Sequence, residues 1–302
     1  MKKPAVIVFL IAAFILAIIL FARVNAVSGN SKPALSETVE TAPAETQVPE
    51  TPSPEPTVRP SETFITEYDA VDIETGETVR KEMAVYLPEG YDENGQYNAV
   101  FLMHVSGSDE RFWPNLGIKE IMDGLISSGE IEPMIVFMPD GYISDDARGT
   151  RNNPKVYTQF AAEFRDNLIP FVKEYYAVYD GREHYGFYGA SFGAFLTVNS
   201  VLERNLDLVS FFGISGGGDI DINELESSWI NCGTSELPVG MFYFGEGDMD
   251  DRGPVELSYM RLRDYCDKFT DDNLKFTLME GVGHDATEWT EGLKEALRLF
   301  FS

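Results

Sequence analysis

Short runs of apolar residues alternate with longer amphipathic segments along most of the chain. Five apolar runs have the length and flanking turn residues of buried strands: 99–103, 134–138, 208–212, 239–244 and 274–279. A sixth run, rich in aromatic residues, ends just before Gly189. Segments with helical spacing lie between them, and they are 118–128, 156–176, 255–269 and 287–300. Pro170 is expected to kink the second helix. Buried strands that alternate with helices predict a mostly parallel α/β sheet with helices on both faces.

The first two predicted strands have a different arrangement. Residues 64–71 and 78–87 flank a polar turn that contains Gly76, and this order predicts an antiparallel hairpin that is added at an edge of the sheet. In open α/β sheets, ligands bind beyond the carboxyl ends of the parallel strands. We therefore expect the functional residues in the loops that follow those strands.

The first 61 residues differ in composition from the rest. Two lysines, an apolar run over 5–21 and small residues up to Ala26 predict a secretory signal over 1–26, and an uncleaved membrane anchor formed by 5–21 is the alternative. Residues 27–61 contain seven prolines among Thr, Ser, Glu and Ala, which predicts a disordered linker. The globular domain is then 62–302, and either alternative places it outside the cytoplasm, extracellular or at the cell surface.

Charge and cysteine content exclude some classes of partner. The formal net charge is −27 and no cluster of Lys and Arg occurs, which excludes a nucleic-acid partner. No Cys/His spacing of a metal site is present. Cys232 and Cys266 are either a disulfide, which an oxidising compartment permits, or two separate thiols. Nothing in the pattern specifies an oligomeric state.

The residues from Gly189 to Gly193 carry the main chemical signal. They form a Gly-x-Ser-x-Gly pattern between the aromatic-rich strand and an apolar segment of helical character, which is the context of a nucleophile elbow. The central Ser191 is therefore the candidate nucleophile. The amide of Phe192, at the start of a helix, is the candidate donor to a developing oxyanion.

A second match to the pattern centres on Ser215. It also follows a strand-like run, but the residues after it are Gly216, Gly217, Gly218 and an aspartate, which are poor helix formers. We therefore favour Ser191, and we expect Ser215 to lie in a glycine-rich strand exit.

A serine nucleophile needs a base and an orienting carboxylate. Of the three histidines, only His284 follows the last strand, as the chain order of serine, acid and histidine requires. His184 precedes the elbow strand and lies at the wrong end of the sheet. His104 follows strand 99–103 and is expected to be a structural hydrogen-bonding residue beneath the oxyanion loop.

The acid is expected in the loop after strand 239–244. Asp248 is the first choice, because the flanking glycines permit a turn that directs its side chain back toward His284. Asp250, Asp251 and Glu246 in the same loop are the alternatives.

Several short segments spread over 61–302 carry a family resemblance. They are Tyr86–Tyr91, the apolar strand that ends in His104, Phe112–Trp113, Asp180–His184, Gly245–Asp248, and Gly283–Asp285 with Trp289. With the elbow, these segments resemble the esterase D-like branch of the α/β-hydrolases, and most closely its secreted feruloyl and acetylxylan esterase domains. The resemblance implies an α/β-hydrolase fold and serine ester hydrolysis without a metal or cofactor. It places the triad on Ser191, Asp248 and His284.

One position departs from this family. Relatives have His-Gly after the first central strand, whereas this chain has His104 followed by Val105. Valine resists the backbone conformations that glycine adopts, so the oxyanion loop is expected to be reshaped, with Gly107 supplying the flexibility. The resemblance then assigns the second oxyanion donor to the amide of Ser106.

Export and the resemblance together suggest the substrate. We expect an ester-bearing carbohydrate or a small aromatic ester, specifically acetyl or feruloyl groups on plant polysaccharide. Trp113, Tyr142 and Trp289 are the candidate lining of an aromatic-binding cleft. Alternatives within the fold are a siderophore esterase and a sugar acyltransferase. An alternative of another class is a catalytically silent binding protein, which the Val105 departure favours.

Overall fold

The computed structural model describes residues 58–148, 153–252 and 255–302. Within these ranges the strands are β1 (Glu62–Val71), β2 (Thr78–Leu87), β3 (Asn98–Met103), β4 (Met134–Pro139), β5 (Tyr185–Ala190), β6 (Phe211–Ser215), β7 (Met241–Gly247) and β8 (Leu274–Met279). The α-helices are α1 (Phe112–Asn115), α2 (Ile118–Ser127), α3 (Pro154–Glu163), α4 (Ile169–Tyr175), α5 (Phe192–Leu196), α6 (Ile222–Cys232), α7 (Val255–Tyr265) and α8 (Ala286–Leu299).

The described strands form one sheet in the order β1-β2-β4-β3-β5-β6-β7-β8. β1 pairs antiparallel with β2, and β2 pairs antiparallel with β4. Every later pairing is parallel. This confirms the predicted α/β-hydrolase fold, with its mostly parallel sheet and N-terminal antiparallel hairpin.

Two apolar clusters, one on each face, bury the sheet. Phe101 of β3 packs in the cluster that contains α3, α5 and α7, whereas its neighbours Val100 and Leu102 pack in the cluster that contains α2 and α8. Successive side chains of a strand point to opposite faces, so both faces of β3 are covered. The continuous apolar runs of the sequence follow from this double burial.

Two strands lie further along the chain than their sequence pattern predicts. β6 begins at Phe211 and continues through Gly213, where the pattern had indicated a strand end. A Cβ at Gly213 would lie 2.7 Å from a ring carbon of Tyr188 and 3.1 Å from the Cβ of Ala296 in α8. The glycine is therefore inside the strand because α8 packs closely against it. β7 likewise extends to Gly247 rather than 244.

The helices show two further differences from the prediction. The segment around Pro170 widens into a π-helical turn at Phe164–Leu168, after which Pro170 lies in the first turn of α4, where its missing N–H is tolerated. The sequence pattern also missed α6, which buries only Leu225 and Trp229. Two residues mark the ends of this helix. Asp221 is the N-cap and accepts from two backbone amides, and Gly233 is the C-cap.

The predicted leader at 1–26 and most of the predicted linker at 27–61 lie outside the described residues. Residues 58–61 already contact the domain: the amide of Gly90 donates to the carbonyl of Arg59, and Ser61 Oγ donates to Asp123. Cys232 and Cys266 are free thiols. None of the helices in the described ranges has the length and apolar character needed to cross a membrane.

Candidate active site

Ser191 lies at the sharp turn between β5 and α5. Its backbone has φ 53° and ψ −110°, a region that non-glycine residues rarely adopt. The turn is fixed because the Ser191 amide donates to the carbonyl of Ser215 at the end of β6, over 2.9 Å. The strain is that of a nucleophile elbow, which holds the hydroxyl beyond the end of the strand.

Both glycines of the elbow are required by close backbone approach. A Cβ at Gly193 would lie 2.5 Å from the carbonyl oxygen of Met103, at the end of β3. A Cβ at Gly189 would overlap the carbonyl group of Gly193 itself. Since backbone atoms cannot move aside without distorting the turn, only glycine fits at either position.

Replacing Gly189 with alanine is expected to destabilise the protein by about 3 kcal/mol, because the added methyl meets backbone rather than a mobile side chain. Chemical denaturation of the purified variant measures the change. Gly124→Ala is the matched control: it lies inside α2 and its added Cβ meets no atom within 4 Å. The free energy of unfolding of that variant is expected to rise by up to about 1 kcal/mol. Equal stability of the two variants would contradict the expectation.

Ser215, the alternative serine, is fully buried and accepts a hydrogen bond from the Tyr188 hydroxyl over 2.7 Å. An ester cannot reach it in this position. The structure thus supports the choice of Ser191.

His284 lies in the loop between β8 and α8, within reach of the nucleophile. Its Nε2 lies 2.9 Å from Ser191 Oγ, and its Nδ1 lies 2.9 Å from Asp250 Oδ2. Because a carboxylate can only accept, Nδ1 carries the proton and Nε2 is free to accept from the serine hydroxyl. The chain from carboxylate to imidazole to hydroxyl is that of a serine hydrolase triad.

The orienting carboxylate beside His284 is Asp250, so the first choice of Asp248 is corrected. Asp248 is exposed, and its Oδ1 accepts from the amide of Gly281 over 2.7 Å. β7 is longer than the sequence pattern predicts, and the turn therefore comes later: the Asp250 amide donates to the carbonyl of Gly247. Glu246 caps the start of α7 through the amide of Glu256 and does not contact His284.

The other two histidines have structural positions. His104 is 1% exposed; its Nδ1 donates to the carbonyl of Val105 over 2.8 Å, and its Nε2 accepts from the amide of Gly141 over 2.9 Å. It fixes the backbone beneath the oxyanion loop, as the sequence indicated. His184 bonds to Asn98, the first residue of β3, at the opposite end of the sheet from Ser191.

The loop after β3 accommodates Val105 by a turn over residues 105–108. The amide of Ser108 donates to the carbonyl of Val105 over 3.2 Å, and Gly107 has φ 75°. This is the pattern of a turn that requires positive φ at its third residue, so glycine is needed at 107 rather than at 105. Among the described residues, no acceptor binds the amides of Phe192 or Ser106. Both N–H groups are free to bind a ligand oxygen.

Comparison with known proteins bears on the family and the fold. The Esterase family model matches residues 78–213. A mutant of the feruloyl esterase module from Clostridium thermocellum, complexed with sinapinate, has a TM-score of 0.65 and 26% identity over 79% of this chain and 88% of that chain. Over residues 78–213 the chain matches the Esterase family, and its fold is that of the α/β-hydrolase esterases. The enzyme class that accompanies this family is carboxylic ester hydrolysis by a serine nucleophile.

Two further proteins are similar to this chain. Endo-1,4-beta-xylanase Y of Acetivibrio thermocellus is 38% identical over 151 residues, which are 46% of this chain but only 13% of that protein. The chain therefore spans a small part of the length of this curated relative. The ferulic acid esterase from Anaeromyces mucronatus in complex with ferulic acid shares the fold, with 21% identity, a TM-score of 0.60, and coverage of 83% of this chain and 94% of that chain.

The three aromatic residues predicted to line a cleft of the esterase occupy different environments. Trp113 and Tyr142 are each 1% exposed; Trp113 lies in the core, and Tyr142 stacks on Phe192 with ring centroids 4.6 Å apart. Neither presents a surface to a substrate, which corrects that prediction for both. Trp289 is half-buried, and its ring packs edge-on against His284 at 5.4 Å and near Phe112 at 5.6 Å. Trp289 thus lies directly beside the triad, and Phe112 lies behind it against Trp289.

Sequence reasoning missed Glu288 in the esterase. It follows His284 by one helical turn, is 0% exposed, and accepts from the amide of Gly247 over 2.9 Å through Oε1. Its Oε2 lies 3.5 Å from His284 Nδ1. Burial, reinforced by the neighbouring Asp250, raises the pKa of Glu288 to about 8. The available signal was an acidic residue in the first turn of the predicted helix 287–300, four residues after His284.

In the described residues, the side chains of Asp250, His284 and Glu288 are also close enough together to hold a metal ion. One ligand atom each of Asp250, His284 and Glu288 lies within 4.8 Å of the others. Their side chains are 0%, 9% and 0% exposed, and His284 Nδ1 already donates to Asp250. In this geometry the three groups serve the triad.

Proposed function

We propose that this protein is a secreted or membrane-tethered serine esterase that removes feruloyl or acetyl groups from plant polysaccharide. The observation that carries the proposal is the continuous chain of two 2.9 Å contacts that joins Asp250, His284 and Ser191 at a strained elbow. In this assignment, Ser191 is the nucleophile, His284 the general acid and base, and Asp250 the residue that orients the imidazole.

The first half of the reaction forms an acyl-enzyme. Ser191 Oγ attacks the ester carbonyl carbon while its proton passes to His284 Nε2, and the carbonyl oxygen becomes an oxyanion. The amide of Phe192 donates to that oxyanion, with the amide of Ser106 as the second donor. When the carbonyl re-forms, the carbon–oxygen bond to the alcohol breaks. His284 then gives its proton to the departing alkoxide oxygen, which leaves as the polysaccharide hydroxyl.

The second half returns the enzyme to its starting state. His284 Nε2 takes a proton from a water molecule, whose oxygen attacks the acyl carbon. The resulting tetrahedral intermediate expels Ser191 Oγ, which recovers its proton from His284. The carboxylic acid then leaves. Throughout, Asp250 keeps the proton of His284 on Nδ1 and stabilises the transient imidazolium.

The substrate class is supported by the relatives and by the aromatic residues beside the triad. One related structure contains sinapinate and another contains ferulic acid, both small aromatic acids. In this chain, Trp289 places an aromatic ring next to His284, and Phe112 packs near Trp289, so both can contribute to a surface for the ring of an aromatic acyl group. Export is supported by the basic and apolar start of the sequence and by the relation to a xylanase.

Product analysis with the purified full chain tests the proposal. Wall polysaccharide that carries both feruloyl and acetyl esters is incubated with the enzyme, and free ferulate and acetate are quantified together. We expect release of at least one acid and covalent labelling of Ser191 by a fluorophosphonate. Absence of both release and labelling would overturn the proposal in favour of a silent binding protein. Addition of an acceptor sugar reveals acyl transfer if an acylated sugar replaces the free acid.

A further inference from the structure

We propose that Glu288 is a positioning residue that stays protonated and donates its carboxyl proton to Asp250, thereby fixing the carboxylate that orients His284. This inference rests on the proposed function, because it concerns the same triad. It adds a fourth group, the neutral acid Glu288, behind the three that the reaction mechanism uses.

The geometry leaves one assignment for the two oxygens of Glu288. Oε1 accepts from the amide of Gly247 over 2.9 Å, so it is an acceptor. Oε2 is buried and receives no N–H or O–H from any other described residue. Gly216 covers it so closely that a Cβ there would overlap Oε2. A carboxylate oxygen of Asp250 lies within 4.8 Å of one of Glu288, and the two side chains interact. Oε2 is therefore the oxygen left to carry a proton, and the Asp250 carboxylate is the acidic group near enough to accept it.

Ionisation of both carboxylates would be unfavourable in this place. Asp250 and Glu288 each have a fully buried side chain, and His284 is the basic residue paired with either one within the described ranges. Two negative charges at hydrogen-bonding distance in a low-dielectric site repel strongly, and such pairs share one proton. Asp250 is the member that accepts from the imidazole, which favours its ionised form. The proton consequently resides on Glu288.

Within the described part of the chain, the groups that face Glu288 from the surrounding elements add no positive charge beyond His284. β7 and its loop contribute Asp250 and Glu246, which are both acidic, and β5 contributes the Tyr188 phenol. The loop after β6 contributes the uncharged Gly216. Burial, followed by the charge of Asp250, raises the pKa of Glu288 to about 8, in the direction that the geometry requires.

The proton has a direct consequence for pH dependence. When Glu288 ionises, the hydrogen bond to Asp250 is lost and two buried carboxylates repel beside the imidazole. Folding binds this proton more tightly than the unfolded chain does, so the contribution of Glu288 to stability is greatest below about pH 4.5 and is lost as the pH rises to about 8. We expect kcat/KM to fall over the same upper range, as Asp250 loses its fixed position.

Variants of the full chain separate this role from simple packing. Glu288→Gln keeps an amide that donates to Asp250 and an oxygen that accepts from Gly247, but it cannot ionise. Glu288→Ala removes both hydrogen bonds and is expected to lower kcat by about 10- to 100-fold at neutral pH. Glu291→Gln, an exposed residue on α8, is the matched control. The measurement is kcat/KM on a chromogenic acetate ester from about pH 5 to pH 10, corrected for spontaneous hydrolysis.

We expect kcat/KM to fall near pH 8 in the wild type and in Glu291→Gln. This alkaline limb should disappear in Glu288→Gln. At neutral pH, Glu288→Gln should also retain most of the kcat that Glu288→Ala loses. The same limb in Glu288→Gln would overturn the inference, as would an alkaline loss that coincides with unfolding by circular dichroism. Infrared spectroscopy supplies an independent readout: below the limb, the spectrum of the wild type minus that of Glu288→Gln should contain the carbonyl band of a protonated carboxylic acid. The subtraction removes the band of Glu203, whose pKa burial raises to about 7. A wild type that shows this band but hydrolyses no ester would defeat the proposed function while retaining the proton.

Discussion

Replacing Ser191 with alanine is expected to lower kcat by about 10⁴- to 10⁶-fold, because no other described hydroxyl lies within reach of His284 Nε2. Alanine keeps the Cβ of serine, so the strained turn at φ 53° and the hydrogen bond from residue 191 to the carbonyl of Ser215 are both retained. The variant should therefore fold as the wild type does. Steady-state hydrolysis of a chromogenic acetate ester, with a thermal melt of each protein, measures both quantities.

Ser215→Ala is the control for this prediction, because Ser215 is the central serine of the second Gly-x-Ser-x-Gly pattern. The substitution removes an acceptor for the Tyr188 hydroxyl, which keeps its hydrogen bond to the carbonyl of Trp289 over 2.9 Å. We expect a stability loss of about 1 kcal/mol and activity close to that of the wild type. Comparable rates for Ser191→Ala and the wild type, or a collapse of activity in Ser215→Ala alone, would contradict the assignment of the nucleophile.

Much of the fold could be predicted because most strands are buried on both faces. β3 and β8 match their apolar runs within one residue, since neither contains a glycine that imitates a strand end. β6 and β7 were misplaced because Gly213 and Gly245 suggest turns. Tertiary packing explains both glycines: α8 approaches Gly213, and a Cβ at Gly245 would lie 2.6 Å from Ser215 Oγ. A sequence pattern carries no information about which helix will approach a strand.

In the candidate site too, residues with a local sequence signal were predictable, and residues whose role depends on tertiary structure were not. Ser191 and His284 were predictable because local signals identify them: a Gly-x-Ser-x-Gly turn before an apolar helix, and a histidine after the last strand. The acid was predicted only as one of four carboxylates in the loop after β7, with Asp250 among the alternatives, because which carboxylate faces His284 depends on where β7 ends. Trp113 and Tyr142 are candidates by residue type, but burial decides against them and is a property of the fold. Glu288 resembles a surface glutamate in sequence, and only its approach to Asp250 makes it part of the site.

Asp250→Asn is expected to lower kcat by about 10⁴-fold, which is the second large effect. The carboxylate accepts from His284 Nδ1 over 2.9 Å and so keeps the proton on that nitrogen. An asparagine amide can donate to Nδ1 instead, which stabilises the opposite tautomer and places the proton on Nε2. The imidazole could then no longer accept the proton of Ser191. Because asparagine has nearly the same volume as aspartate, the fold should change little, and a thermal melt checks this.

Asp248→Asn supplies the comparison that distinguishes the two aspartates of the loop. Asp248 is exposed and accepts from the amide of Gly281, a role that the amide oxygen of asparagine also fulfils. We expect its kcat to remain within about threefold of the wild-type value, since replacements at exposed positions away from the site have small effects. If Asp248→Asn were the inactive variant and Asp250→Asn the active one, the orienting carboxylate would have to be reassigned. The structure predicts the opposite because imidazole orientation depends on the carboxylate that Nδ1 contacts, and only Asp250, of these two, makes that contact.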